Sequence, residues 1–358
     1  MRLFLILIIA ALILMVIYIV SRLHKFNFIH NITNKWISWI VSLIPILVIG
    51  VLFNYVNTLV ILSHLAIFFV LSELVVKLIK KIRKKDFNYY LAGVIAIIVT
   101  TIYLGIGAYL DYHVFETHYE IVTEKNIGTD SFRIIQISDS HVGATFNGEG
   151  FYKHMEKKSQ INADLLVITG DFVDDDTTYS DMVKSCEALS LAKPKYGVYF
   201  IYGNHDKGYF DYRNFKDKEL REELEKNGVI ILDDEVVEIN DHIYLIGRYD
   251  KTDKNRKSID ELTKGLDKNR YIIDLNHQPN DYKNEMNKVD LVLSGHTHGG
   301  QLFPLGYIGL LTGSNDEFYG LHQRGNTYFI VNSGISDWAI DFKTGTYSEY
   351  GVIDIKNN

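Results

Sequence analysis

The sequence predicts an α/β domain, with sheets layered between helices, preceded by an α-helical membrane region. Three observations predict it. Residues 1–110 contain four apolar stretches of about 20 residues each, the length that spans hydrocarbon as a helix. From about residue 111, short apolar runs of strand length alternate with amphipathic stretches. Five short motifs of Asp, His, Asn and Gly then follow five of those runs, each just past its end.

The membrane region comes first. Its apolar stretches are 3–20, 36–53, 58–79 and 89–110, and they are apolar on every face, which helices of water-soluble cores rarely are. Pro45 is tolerable inside a membrane helix, and Trp36, Trp39, Tyr89 and Tyr90 stand at predicted ends, as interfacial aromatics do. The first stretch has the position of a signal peptide. Its apolar run exceeds the usual ~7–15 residues and no small-x-small site follows, so an uncleaved helix is expected. Glu73 and Lys77, at i and i+4, can pair on one helix face, and both lie near the basic end, where snorkelling suffices.

Charge divides the chain in the same place. Residues 1–110 hold ten Lys/Arg against two acidic residues, a formal +8, so the rest of a chain of net charge −7 carries −15. Lys and Arg concentrate between the first and second stretches (Arg22, Lys25, Lys35) and between the third and fourth (Lys80, Lys81, Arg83, Lys84, Lys85). Such loops stay cytoplasmic, so four crossings place the C-terminal domain outside. The acidity of that domain disfavours nucleic acid as a partner. A single cysteine, Cys186, excludes an intramolecular disulfide and a cysteine zinc cluster.

In the acidic half, strands are expected at 132–138, 164–169, 197–202, 243–247, 271–274, 290–294, 328–332 and 346–355. Helices are expected at 149–161, 177–192, 215–227, 257–266 and 280–287. The five motifs are Asp139-Ser140-His141, Gly170-Asp171, Gly203-Asn204-His205-Asp206, Asn276-His277 and Gly295-His296-Thr297-His298-Gly299-Gly300. Taken singly, most are ordinary turn sequences. Two histidines between glycines rarely serve packing, and five such motifs in order at strand ends point to one site, since ligands of open α/β sheets gather at the carboxyl ends of strands. Oxygen and nitrogen donors without thiolate suit Mn, Fe or Zn better than Ca. His113, His118, His154 and His242 are expected to be surface or packing residues. Asp174, Asp175 and Asp176 are expected to form the N-terminal cap region of the following helix, with a place on the rim of the site as the alternative. Asp250 follows a strand end and is left outside the site.

These motifs resemble the pattern D-x-H, G-D, G-N-H-[DE], H, G-H-x-H of the calcineurin-like metallophosphoesterases over roughly residues 130–356. The run Gly295 to Gln301 is most similar to a bacterial membrane-associated branch that ends in G-H-T-H-G-G-Q. The stretch after Gly334 lacks the Pro/Arg signature of close relatives. The resemblance implies a four-layer αββα sandwich over residues 111–358, following the four-helix region of residues 1–110. It also implies two divalent metal ions. Asp139, His141 and His298 would hold the first, Asn204, His277 and His296 the second, and Asp171 would bridge them. His205 would sit beside the leaving group, with Asp206 orienting it. The implied activity is hydrolysis of a phosphomonoester or phosphodiester by hydroxide bridged between the metals, and the membrane anchor favours a lipid-linked or envelope substrate. The competing reading is a membrane receptor or scaffold whose metal site is structural or sensory.

Overall fold

A computed structural model describes residues 2–209 and 213–358. The chain divides into two compact units, Met1–Ala108 and Tyr109–Asn358.

The first unit is helical: α1 (Arg2–Leu23), the short α2 (Asn27–His30), α3 (Lys35–Leu52), α4 (Tyr55–Arg83) and α5 (Leu91–Tyr112), which runs on into the second unit. Helices α3, α4 and α5 are long and apolar enough to cross a membrane. In α1 the described apolar side chains cover the shorter segment Ile9–Leu23, and those of residues 2–5, 7 and 8 lie outside the described set. Asn34 caps α3 by accepting from the backbone of Trp36 and Ile37, and α3 continues through Pro45. Glu73 does not depend on Lys77. It is held by Lys25 at 2.7 Å, by Arg22 at 3.0 Å and by the Tyr90 hydroxyl at 2.6 Å. Two cations from α1 and the loop after it outcompete the i+4 neighbour because they approach from across the helix pair.

The second unit is built on two six-stranded sheets. Its strands are β1 (Phe115–Thr123), β2 (Ser131–Ile137), β3 (Leu165–Ile168), β4 (Val198–Phe200), β5 (Val229–Ile231), β6 (Glu235–Asn240), β7 (Ile243–Gly247), β8 (Tyr271–Leu275), β9 (Leu291–Ser294), β10 (Gly320–Arg324), β11 (Thr327–Val331) and β12 (Glu349–Asn357). One sheet has the order β1-β12-β2-β3-β4-β5 and is parallel from β2 to β5. The other has the order β10-β11-β9-β8-β7-β6 and is parallel from β11 to β7.

Period-two patterning explains how the sheets stack. In β3, Leu165 and Val167 face one way and Leu166 and Ile168 the other, and all four are buried. Leu165 and Val167 join Ile273, Leu275, Leu291 and Leu293 of β8 and β9 in the core between the sheets. Leu166 and Ile168 meet α6 (Gly148–Lys158), α7 (Tyr179–Leu189) and α8 (Asp217–Lys226), through residues such as Phe151, Met182 and Leu220. On the far side, Ile272 and Val292 pack with Ile259 and Tyr282 of the one-turn helices α9 (Ile259–Leu262) and α10 (Tyr282–Glu285). Strands buried on both faces read as continuous apolar runs, which is why these segments were recognisable from sequence. The result is four layers: helices, sheet, sheet, helices.

Candidate metal centre

The carboxyl ends of β2, β3 and β4 in one sheet and of β8 and β9 in the other converge. Gln136 links the two sheets there, donating to Ser294 O at 2.9 Å and Thr169 Oγ1 at 3.1 Å. The turns leaving the strands are tightly coiled. Asp139, His141, Asp171, His296 and His298 all have positive φ, between 34° and 70°. Left-handed residues other than glycine cost energy and collect at functional sites, so this run of them marks the centre. At Gly170, with φ of 92°, a Cβ would lie 2.7 Å from the Gly203 nitrogen and 2.6 Å from His277 Nδ1. Only glycine lets these turns approach.

Three groups of donors result, with donor atoms within 4.8 Å of one another in each: Asp139, His141 and His298 form the first, Asp171, His277 and His296 the second, and His141, Asp174 and His205 a third. Asp171 lies between the first and the second: its Oδ2 is 3.7 Å from His141 Nε2 and 3.2 Å from His277 Nε2. Asn204 Oδ1 is 3.1 Å from His277 Nε2, which brings it to the second group. The His205 backbone N–H donates to Asp171 Oδ1 at 2.8 Å, and its ring stands 4.9 Å from that of His141.

Orienting partners fix which ring nitrogens face the centre. His277 Nδ1 donates to Thr169 O at 2.8 Å, His298 Nδ1 to Asp337 Oδ1 at 3.0 Å, and His141 Nδ1 to Asp174 Oδ2 at 3.1 Å. Each leaves Nε2 toward the centre, the arrangement in which metal-ligating histidines are held. The other Asp174 oxygen accepts from His205 Nδ1 at 3.1 Å. Asp174 is therefore not a helix cap; Thr178 caps α7 by accepting from Asp181 N. Nor does Asp206 hold the His205 ring. Its Oδ1 accepts from Phe172 N and Val173 N at 2.7 and 3.0 Å, and its Oδ2 from Gly203 N and Asp171 N at 2.7 and 2.9 Å. Both oxygens are thus committed to backbone N–H groups, three in the Asp171 turn and one at Gly203. Asp174 was visible in sequence as part of an acidic run beside Gly170-Asp171, whereas nothing in the local pattern singled out Asp337. Asp250 accepts from Gln278 Nε2 at 2.9 Å, and His154 packs its ring 5.0 Å from Phe146.

Electrostatics suit cations. Burial alone would raise the Asp171 carboxyl, but the facing His277, His141 and His205 rings overcome it and hold it well below the usual range. Burial depresses His277, yet Asp171 outweighs this and lifts it to about 10. His296 is driven down to about 4 by burial and by His277, so it keeps a free lone pair. His141 Nε2 is buried with no hydrogen-bond partner. A buried imidazole nitrogen without a partner, among carboxylates and other imidazoles, fits a divalent cation by donor chemistry.

Beside the centre opens a groove of about 280 Å³, walled by His296, His298, Leu305, Gly309, Phe318 and Ile340 among others. Leu305 and Gly309 belong to α11 (Leu305–Thr312), a helix without a buried residue.

The family model for the calcineurin-like phosphoesterases matches residues 132–300. An uncharacterized metallophosphoesterase of Aquifex aeolicus is 33% identical over 57% of this chain and 77% of its own length. YkoQ, an uncharacterized metallophosphoesterase of Bacillus subtilis, is 31% identical over 60% of this chain and 80% of its own. A transmembrane protein with a metallophosphoesterase domain from Danio rerio is 28% identical over 63% of this chain and 54% of its own.

Proposed function

Because the chain belongs to the calcineurin-like metallophosphoesterases, we propose that it is a membrane-anchored phosphoesterase with a dinuclear centre. Asp139, His141 and His298 would hold one divalent cation, and Asn204, His277 and His296 a second. The observation that carries this reading is the Asp171 carboxylate, which reaches His141 of one group and His277 of the other. When bound, a pair of divalent cations supplies Lewis acidity toward phosphoryl oxygens and water acidic enough to deprotonate near neutral pH. Mixed nitrogen and oxygen donors favour Mn, Fe or Zn.

The chain's own groups do the rest. Asn204 borders the second group and faces the phosphoryl oxygens. His205 is the proton donor to the leaving oxygen. Burial opposes protonation of its ring, but Asp174 and Asp171 outweigh that and raise its pKa above the ordinary imidazole value. Asp206 fixes the turn that carries Asp171.

Three apolar helices support the membrane anchor. The basic loops on either side of α3–α4 favour a cytoplasmic placement for those loops and an extracytoplasmic catalytic unit. Held at a membrane, the site favours a lipid-linked or envelope phosphate ester.

The test is elemental analysis with turnover of chromogenic phosphomonoesters and phosphodiesters in added Mn²⁺, on wild type and Asp171→Asn. Metal content and turnover should disappear together. Full turnover in a metal-free Asp171→Asn protein would end the reading, and absence of wild-type turnover with any divalent metal would favour a sensor or scaffold. Protease shaving of intact cells reads sidedness, and survival of the catalytic unit would contradict the outward placement.

A further inference from the structure

Resting on the phosphoesterase reading, we infer that the groove beside the metal centre is the seat of an apolar tail, so that the substrate is an amphiphilic phosphate ester. The groove shares His296 with the second donor group and His298 with the first, so whatever fills it abuts the position of the phosphoryl group. Its remaining wall is largely apolar, with Leu305, Phe318 and Ile340 prominent.

Two of the polar side chains in that wall, Thr297 and Gln301, are occupied with the protein itself, and Asn315 is the third uncharged polar side chain there. Thr297 Oγ1 donates to Phe318 O at 2.7 Å. Gln301 Nε2 donates to Asp337 Oδ2 at 2.7 Å and to Phe342 O at 3.0 Å. Groups already satisfied in this way do not call for a sugar or a base, whereas an alkyl chain loses nothing by lying against them.

Helix α11 shapes the groove. Gly306 brings the helix against the turn after His298: a Cβ there would stand 2.7 Å from Phe318 Cδ2 and 3.0 Å from Gly300 Cα. One turn on, Gly309 keeps the wall flat. The rest of α11 and the residues leading into it are apolar and face outward, with Leu311 86% exposed, Phe303 60% and Ile308 50%. An apolar helix with no buried residue, bordering a catalytic groove, is a surface built for contact with an apolar molecule.

The occupant is a chain attached to the phosphate, because the groove is continuous with the site where that phosphate must sit. Each methylene that leaves water contributes about 0.8 kcal/mol, which is about fourfold in kcat/KM when the tail stays bound through the transition state.

The experiment uses the full chain in nanodiscs with Mn²⁺. Two homologous series, ethyl to hexyl, cover either specificity: 4-nitrophenyl alkyl phosphodiesters and alkyl monophosphates. The readout is the hexyl-to-ethyl ratio of kcat/KM within one preparation, compared between wild type and Gly309→Met. Partition of the longer esters into the bilayer is common to both proteins and cancels.

A Cβ at Gly309 would stand 3.1 Å from Asn315 Nδ2, a tight contact that requires the Asn315 side chain to shift by a few tenths of an ångström. Wild type should show a ratio roughly tenfold or more above that of Gly309→Met. Ile340→Asn, on the same groove, should lower the ratio as well and serves where the glycine variant does not fold. Equal ratios in wild type and both variants, with the ethyl esters turned over, overturn the tail site and leave the phosphoesterase intact. No turnover of any ester removes the phosphoesterase reading and this inference with it.

Discussion

Asp174 is hydrogen-bonded to the His205 ring at 3.1 Å, and its second oxygen holds His141 at the same distance. One carboxylate thus orients a proposed ligand and the proposed proton donor together. Asp174→Asn should weaken both functions: about 10–100-fold in metal affinity or activity, the usual cost of losing an orienting partner. It should also move the alkaline limb of kcat against pH to lower pH, because His205 loses the anion that raises it. Mn²⁺ titration and a pH–rate profile read the two effects separately. Unchanged metal affinity with an unmoved alkaline limb would show that Asp174 does neither.

His205 is close to Asp171 and shares a donor group with His141 and Asp174, but it belongs to neither the Asp139–His141–His298 group nor the Asp171–His277–His296 group. His205→Gln is therefore expected to retain its metal and lose about 10²–10⁴ in kcat on esters with poor leaving groups. With a 4-nitrophenyl ester the loss should be much smaller, since that leaving group departs without a proton. An equal loss on both kinds of ester would assign His205 to the phosphoryl oxygens instead.

How much of this was legible in the sequence depended on local signal. The parallel strands β2, β3, β8 and β9 are buried on both faces and read as apolar runs, and the motifs lay directly behind them. Strand β1 was not foreseen. It is the edge of its sheet, with alternating half-exposed and exposed residues such as Glu116, His118 and Glu120, and its pairing with β12 is a contact across more than 200 positions. Helix α11 was hidden because LGYIGLLT carries two glycines and no polar face. Asp337 became visible only through tertiary structure, which sets it against His298 and Lys343. The resemblance makes Asp206 the orienting group of His205, yet adjacent residues of a turn point apart, and its carboxylate faces the neighbouring turn.

That geometry gives Asp206→Asn a structural phenotype. Four backbone N–H groups converge on the two carboxylate oxygens. An asparagine has one oxygen and would aim its own N–H₂ at the remaining donors. Leaving buried donors unsatisfied costs about 1–3 kcal/mol, which lowers the melting temperature of a domain of this size by several degrees. Calorimetry on metal-loaded and chelated protein should show the drop in both states. A melting temperature equal to wild type in both, with lost turnover, would move Asp206 from a positioning role into the chemistry.

Away from the centre, Arg248 is buried with Asp274 and Glu285, and Arg256 and Asp281 lie half-buried beside them. Arg248 lies 2.7 Å from Glu285, 2.8 Å from Asp281 and 3.7 Å from Asp274. Three carboxyls face two guanidinium groups, so one carboxyl carries the uncompensated charge. Burial, reinforced by Asp274, pushes Glu285 up to about 8, while Asp274 rises to about 6 through burial despite Arg248. A carboxyl raised on folding contributes stability that is complete below its unfolded pKa and is lost as pH rises through the folded value. The wild-type unit should therefore lose stability between about pH 5 and 8 on this account. Glu285→Gln keeps an oxygen for Arg248 and for Asn276, which donates to Glu285 at 2.6 Å, and removes the titration. Its stability should match wild type near pH 5 and exceed it at pH 8.5 by an amount on the order of 1–3 kcal/mol, as replacements of buried charge often do. Denaturant unfolding at the two pH values measures the difference. A variant less stable than wild type at pH 8.5 would mean that Glu285 is ionised and paired in the native protein, and that the surplus proton resides elsewhere in the cluster.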